Sequence, residues 1–277
     1  FIEGDLVVGV VRRPDPVPCG ACAHGEFDMC RNGRYTERGG IKEIDGYGSE
    51  IWCVETDYAV KLDDALAEVG MLMEPTTVVA KAWEQVYRVG QRAWFEPRTA
   101  LVTGAGPIGL LAALLGVQHG LEVHVLDRVT DGPKPGIVDD LNATYHHTSV
   151  EEAVGKVQPD IVIEATGGVG SLVFDAMKVT GSYGIVALTG VSPPTGRNLT
   201  VDAGGLNRDI VLEKRRGGGF GQCQPAPLPA GRRGAGESDP TWLASLITRR
   251  VPLRDATKAF AAGDDDVKVV ITLDESR

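Results

Sequence analysis

No apolar run in this sequence approaches about 18 residues, so no transmembrane helix is expected. Positive charge is also scarce. The formal net charge of −10 argues against a general role on nucleic acid or an anionic membrane, because both reward a basic surface. There is no secretory signal pattern, so a cytoplasmic setting is the expectation. The chain opens on "FIEGDLVVGVV", which reads as mid-domain, so targeting is not legible at that end. Internal repeats and long polar linkers are missing too. What is present is a 43% hydrophobic composition over 277 residues, enough for a sizeable core and for two lobes.

Cysteine is sparse but clustered. Of Cys19, Cys22, Cys30, Cys53 and Cys223, the first three share "CGACAHGEFDMC". In an acidic chain without secretory features, that spacing points to metal ligation before disulfides. A closed structural zinc site is tetrahedral, and only three thiols are visible. Asp15 or His24 is the candidate for the remaining position, unless the site is incomplete.

The strongest pattern is "TALVTGAGPIGLLAALLGVQHGLEVHVLD", read as strand, glycine loop, helix, strand. Gly104, Gly106 and Gly109 form G-x-G-x-x-G in βαβ context, with Asp127 closing the second strand. Gly104 permits the tight turn, Gly106 admits a pyrophosphate, and Gly109 lets helix and strand pack. Ala105, Pro107 and Ile108 complete the loop, and the helix N-terminus offers free N–H groups to phosphate. Asp127 suits the adenosine ribose of NAD, whereas Arg128 suits a 2′-phosphate, so the cofactor expectation is NAD or NADP. "DIVIEATG" and "YGIVALTGVS" read as further buried strands. Thr166, Gly167, Thr189, Gly190 and Val191 follow them and are cofactor-side candidates. "EGDLVVGVVRR" and "GYGSEIWCVETDYAVKL" are strand-rich, helical spacing begins near residue 65, and the C-terminal stretch reads as helix, acidic turn and strand.

Together "GDLVVGVVRR", the cysteine loop, "ERGGIKEIDGYGSE", "MLMEPTTVVAKA", "VTGAGPIGLL", "IEATGG" and "DAGGLNRDIVL" resemble the zinc-dependent medium-chain dehydrogenases/reductases, and among them the glucose dehydrogenases. The resemblance implies an α/β fold: a Rossmann doubly wound parallel sheet plus a GroES-like, mainly β catalytic domain. Residues 1–94 would be the catalytic domain with a linking helix, 95–220 the Rossmann domain, and 221–277 the return to the catalytic domain. It implies zinc- and NAD(P)-dependent oxidation of the C1 hydroxyl of glucose or a related aldose to the lactone. Glu74 in "MEP" would be a catalytic zinc ligand, and Glu37 in "YTERG" would contact the sugar. The other ligands of that zinc would precede Phe1. Pro16 stands where the first cysteine of a four-cysteine structural zinc loop would fall. A homodimer or tetramer, with a small-molecule sugar as partner, is implied as well. The alternatives are a related zinc alcohol or polyol dehydrogenase, or a cofactor-binding fragment without catalysis.

One stretch fits none of this. Residues 214–238, "KRRGGGFGQCQPAPLPAGRRGAGES", hold seven Gly, three Pro and four Arg, and their only Val, Ile or Leu is Leu228. With permitted codons, dropping one nucleotide converts the stretch to "NDVVVGSVNANLRHYRQAAEALAKA" before the printed frame resumes at Asp239. That string has a β-branched strand, a polar loop and helical apolar spacing, and it matches the same family. The expectation is therefore a pair of compensating frame errors, with a backbone of strand, loop and helix. A genuine insertion loop of this length would be uncommon in a compact domain.

Overall fold

The structure, a computed structural model, describes residues 1–38, 42–155, 158–167, 170–191, 198–213, 216–219, 239–261, 263 and 265–273. The chain divides into two compact units, Phe1–Lys81 with Gly221–Arg277, and Ala82–Phe220.

The first unit begins with short strands. β1 (Val7–Gly9) and β2 (Arg12–Arg13) are followed by the helical turn α1 (Gly20–Ala23), β3 (Thr36–Glu37) and β4 (Ala59–Lys61). β1 pairs antiparallel with β4, and β2 with β3, placing Arg12 opposite Glu37. The helical spacing expected from residue 65 appears first as two 3-10 turns, Asp64–Leu66 and Gly70–Leu72. The long helix α2 (Met73–Gly90) follows. The boundary between units falls inside α2, after Lys81, whereas the sequence expectation ran the first domain to 94. Beyond that boundary Trp83 and Val86 are buried, and the Trp83 indole N–H donates to the Ala112 carbonyl of the second unit.

The second unit alternates strand and helix. In chain order these are β5 (Thr99–Thr103), α3 (Pro107–Gln118), β6 (Glu122–Leu126), α4 (Pro133–Asp139), β7 (Thr144–His146), α5 (Val150–Val154), β8 (Ile161–Glu164), α6 (Gly170–Val179), β9 (Ile185–Leu188), α7 (Ala203–Leu212) and β10 (Arg216–Gly219). The strands form one parallel sheet in the order β10-β9-β8-β5-β6-β7. This is a doubly wound Rossmann sheet whose order reverses between β5 and β8. Strand alternation feeds both faces. Gly109 and Gly116 of α3 approach Val102 and Val123. Leu101, Leu126, Val162 and Val186 instead join residues of α5 and α6 in one apolar cluster. Residues 109–116 of α3 are all buried, as an all-round apolar helix against a sheet should be.

The remaining described elements return to the first unit: α8 (Pro240–Ser245), β11 (Ile247–Pro252), a 3-10 stretch at Leu253–Phe260 in place of the expected helix, and β12 (Lys268–Thr272), which pairs parallel with β11. Within 214–238 a strand is present: β10 pairs with β9 through Arg-Gly-Gly-Gly, although glycine is depleted in strands. The loop and helix expected after it lie outside the described residues. Among the described residues, no helix is long and apolar enough to cross a membrane.

Candidate functional site

At the carboxyl end of β5 the chain turns through Gly104, whose φ of +97° favours glycine. A Cβ on Gly104 would lie 3.0 Å from the Ala165 carbonyl oxygen, so the loops after β5 and β8 touch at the point where strand order reverses. On Gly109 a Cβ would meet the Gly104 carbonyl oxygen at 1.8 Å, which fixes glycine there by packing. Gly106 differs: no atom lies within 4 Å of a Cβ built on it. It is the N-cap of α3 and supplies no side-chain cap, while Pro107 opens the helix. Open space above a bare helix N-terminus is what a pyrophosphate needs. Ala105, Pro107 and Ile108 lie along the same turn.

Asp127 follows β6 and reaches back to this loop. Its carboxylate accepts from the Ala105 amide at 2.7 Å and the Val129 amide at 3.1 Å, with the Lys134 ammonium at 3.3 Å. Burial alone would raise its pKa, but the two amides and Lys134 outweigh that and hold it below the usual carboxylate value. Arg128 next to it is exposed. Lys134 escaped the sequence reading; its signal was a cation in the first turn of the helix after the acidic strand end.

Across the switch point, Thr166 donates through its amide at 2.8 Å and through its hydroxyl to Glu164 Oε1. The Thr189 hydroxyl donates to the Glu164 carbonyl at 2.7 Å, as does the Gly190 amide at 3.2 Å. Glu164 is 3% exposed and ties the loops after β8 and β9 together. A Cβ on Gly190 would strike the Gly167 amide nitrogen at 2.4 Å, and Gly167 itself has φ +66°. Val191 is 86% exposed. The two threonine hydroxyls are thus engaged within the protein, while the exposed Val191 and the backbone of these loops remain the surfaces open to a ligand. Glu164 was also missed, though an acid ending a parallel strand was readable, as at Asp127.

In the other unit, Cys19, Cys22 and Cys30 bring their sulfurs within 4.8 Å of one another. Among the described residues this is the one group able to hold a metal with three ligands of this kind. Amide N–H groups of Cys22 and then Arg31 draw the Cys19 thiol down to about 6, and burial pushes Cys22 up. Three converging sulfurs, one of them readily ionised, fit a thiophilic cation such as zinc. Neither Asp15 nor His24 joins the group. Asp15 accepts from the Val17 amide at 2.8 Å and the Asn32 side chain at 2.8 Å, and His24 Nδ1 lies 2.7 Å from the Gly20 carbonyl.

Glu74 sits in the first turn of α2, where its charge complements the helix dipole. Burial pushes its carboxyl pKa up, against the opposing pull of Lys268. Among the described residues no donor set with two further ligands forms around it, so Glu74 by itself is not a metal site. Glu37 ends β3, is 5% exposed, and is gripped by Arg12.

Comparison with known proteins gives the following. Residues 67–273 match the family model for the glucose dehydrogenase C-terminus. A glucose 1-dehydrogenase of Methanocella arvoryzae is 34% identical over 281 aligned residues, covering 99% of this chain and 77% of that protein. The solved Haloferax mediterranei glucose dehydrogenase in complex with NADP, Zn and gluconolactone superposes with a TM-score of 0.89 at 30% identity, covering 99% of this chain and 78% of that one. Galactitol-1-phosphate dehydrogenase from Escherichia coli, at 22% identity and TM-score 0.75 over 92% of this chain and 73% of its own, shares the fold.

Proposed function

This chain belongs to the glucose dehydrogenase family of zinc-dependent medium-chain dehydrogenases, and from that premise we propose that it oxidises the C1 hydroxyl of glucose or a related aldose to the lactone with NAD or NADP. The observation that carries the proposal is the continuous relationship, over 99% of the chain, to glucose 1-dehydrogenases.

A bound nicotinamide would supply a hydride acceptor and a zinc held at Glu74 would supply a Lewis acid for the C1 oxygen. The chain's own residues hold the reactants. The loop Gly104, Ala105, Gly106, Pro107, Ile108 and Gly109 borders the pyrophosphate, with the first-turn amides of α3 at Ile108 and Gly109 as its donors; the Gly104 and Ala105 amides are engaged by Leu126 and Asp127, and Pro107 has no N–H. Asp127 accepts from the adenosine ribose hydroxyls, and Arg128, with Lys134 beside Asp127, accommodates a 2′-phosphate. The backbone loops at Thr166, Gly167, Thr189, Gly190 and Val191 border the cofactor. Glu37 accepts from a sugar hydroxyl. Glu74 would be a ligand of the catalytic zinc, and Cys19, Cys22 and Cys30 would hold a second, structural zinc. Residues 1–94 and 221–277 act as the catalytic domain and 95–220 as the cofactor domain, in a cytoplasmic homodimer or tetramer.

Turnover measured on glucose, galactose, sorbitol and simple alcohols with each cofactor tests the reading. Glucose or a close aldose should give the highest kcat/KM. Preference for a polyol or simple alcohol would move the chain to a neighbouring dehydrogenase class, and absence of turnover with intact cofactor binding would make it a cofactor-binding fragment.

A further inference from the structure

Two adjacent arginines open the hairpin of β2 and β3, and both are buried: Arg12 is 7% exposed and Arg13 is 8%. Neighbouring strand residues point to opposite faces, and these two have different partners. Arg13 donates to the Val10 carbonyl at 2.6 Å and to Glu55 at 2.9 Å, and its guanidinium lies over the Tyr58 ring. That is a fastening for the chain around it. Arg12 instead spends its guanidinium on the sugar-contact candidate. Its Nε donates to Glu37 Oε1 at 2.7 Å, its Nη2 donates to the same oxygen, and its plane lies over the Tyr35 ring at 4.5 Å. Register makes the pairing direct, because Arg12 and Glu37 are opposite one another across the two strands.

Both donors converge on one carboxylate oxygen. Glu37 Oε1 is therefore occupied, while Oε2 has no hydrogen-bond partner among the described residues. A carboxylate in an open site would rotate between equivalent poses. Held by a rigid planar fork at one oxygen, it offers the other in a single direction.

The grip is backed by a second pair. The turn at Phe27–Met29 packs against β2, and its Asp28 is buried, with Oδ2 3.7 Å from the Lys81 ammonium and Oδ1 lacking a hydrogen-bond partner among the described residues. Lys81 is 2% exposed and stands seven residues after Glu74, on the same stripe of α2. The buried charges thus run Lys81, Asp28, Arg12, Glu37 with alternating sign. Each cation is compensated by an anion within the same unit, as buried charges require.

We propose that Arg12 is a positioning residue for sugar recognition: it fixes Glu37 by one oxygen so that the other accepts from a substrate hydroxyl, with Asp28 and Lys81 bracing it from the helix that carries Glu74. The proposal rests on the reading of Glu37 as a sugar contact.

A double-mutant cycle on the full chain tests it, with gluconolactone affinity measured by titration calorimetry in the presence of NADP. Arg12→Lys keeps the charge but loses the planar fork. Arg12→Lys and Glu37→Gln should each weaken gluconolactone about 10-fold, and the double variant should be no weaker than Glu37→Gln alone, because residues acting through one contact are not additive. NADP affinity, read in the same samples, should not move. Additive losses would show Arg12 acting apart from Glu37 and would overturn the proposal while leaving the Glu37 reading intact. An unaltered affinity in Glu37→Gln would overturn that reading and the proposal with it. Should Arg12→Lys not fold, Asp28→Asn serves as the second variant. Its loss of affinity should vanish in the Glu37→Gln background, and a loss that persists there counts against the brace.

Discussion

Three glycines share one motif, yet their surroundings separate their roles. Gly109 is fixed by packing, with a Cβ landing 1.8 Å from the Gly104 carbonyl oxygen, so Gly109→Ala should cost about 1–3 kcal/mol of stability in denaturant unfolding. Gly106 has open space around it. Gly106→Val should leave unfolding nearly unchanged and abolish NADP and NAD binding, and retention of cofactor affinity would remove the loop from the site. Asp127 carries a pH signature. Its folded pKa lies below 3.8, so the stability it supplies is present above that value and is lost as pH falls through the folded pKa. Asp127→Asn should therefore destabilise at pH 7 by about 1–2 kcal/mol, with the gap to the parent closing in acid. A gap that stays constant down to pH 3 would show that the carboxylate charge is not what holds the loop. Arg128→Ala should weaken NADP more than NAD, and equal losses would deny it the 2′-phosphate. At this scale the motif residues and Asp127 were legible because spacing alone reports them. For Glu164 and Lys134 only a position was readable, a strand-end acid and a first-turn cation, and for Arg12 not even that; their roles come from partners two to 25 residues away.

Elements were readable where periodicity and length agreed. β5, α3 and β6 follow from an apolar strand, a glycine loop and an Ala/Leu-rich run, since a helix apolar on all sides must be buried and here lies between two strands in the chain. The start of α2 was less clear. Helical spacing begins near 65, but the Asp63 carboxylate accepts from the Ala65 amide and starts a 3-10 turn, a second turn follows at Gly70–Leu72, and the α-helix opens only at Met73. β1, β2 and β4 fall inside the two stretches read as strand-rich, but two- and three-residue pairings leave no periodicity to set their bounds, and β3 lies outside both stretches. β10 poses the sharpest conflict between sequence and element. A parallel strand beside Ile185–Leu188 is built from Arg-Gly-Gly-Gly, whereas the shifted reading places Val-Val-Val-Gly at the same four positions. Peptide sequencing across Glu213 to Trp242 should return a fragment containing "VNANLR". Recovery of "GQCQPAPLPAG" would establish the printed residues and end the frame-error reading.

On the scale of the whole chain, chemistry is divided between two units with different means of cohesion. Ala82–Phe220 is held by a parallel sheet with apolar residues on both faces, and it carries the glycine loop and Asp127. Phe1–Lys81 with Gly221–Arg277 has short strand pairs, buried ion pairs and three converging thiols. Ligands that bind only the folded form should therefore stabilise different backbone amides. Hydrogen exchange of the intact protein reads this directly. NADP at about 100 times its Kd contributes about 2.7 kcal/mol, which slows exchange through the opened state about 100-fold, and the slowing should centre on 104–109 and 127–129. Removing zinc with a chelator should instead speed exchange across 19–31, where Ala23 and Gly25 amides bond within the cysteine turn, and leave the glycine loop unaltered. Unaltered exchange at 19–31 after chelation would mean that the three thiols stabilise that lobe without metal, since a bound zinc that closes the lobe cannot be withdrawn without exposing those amides.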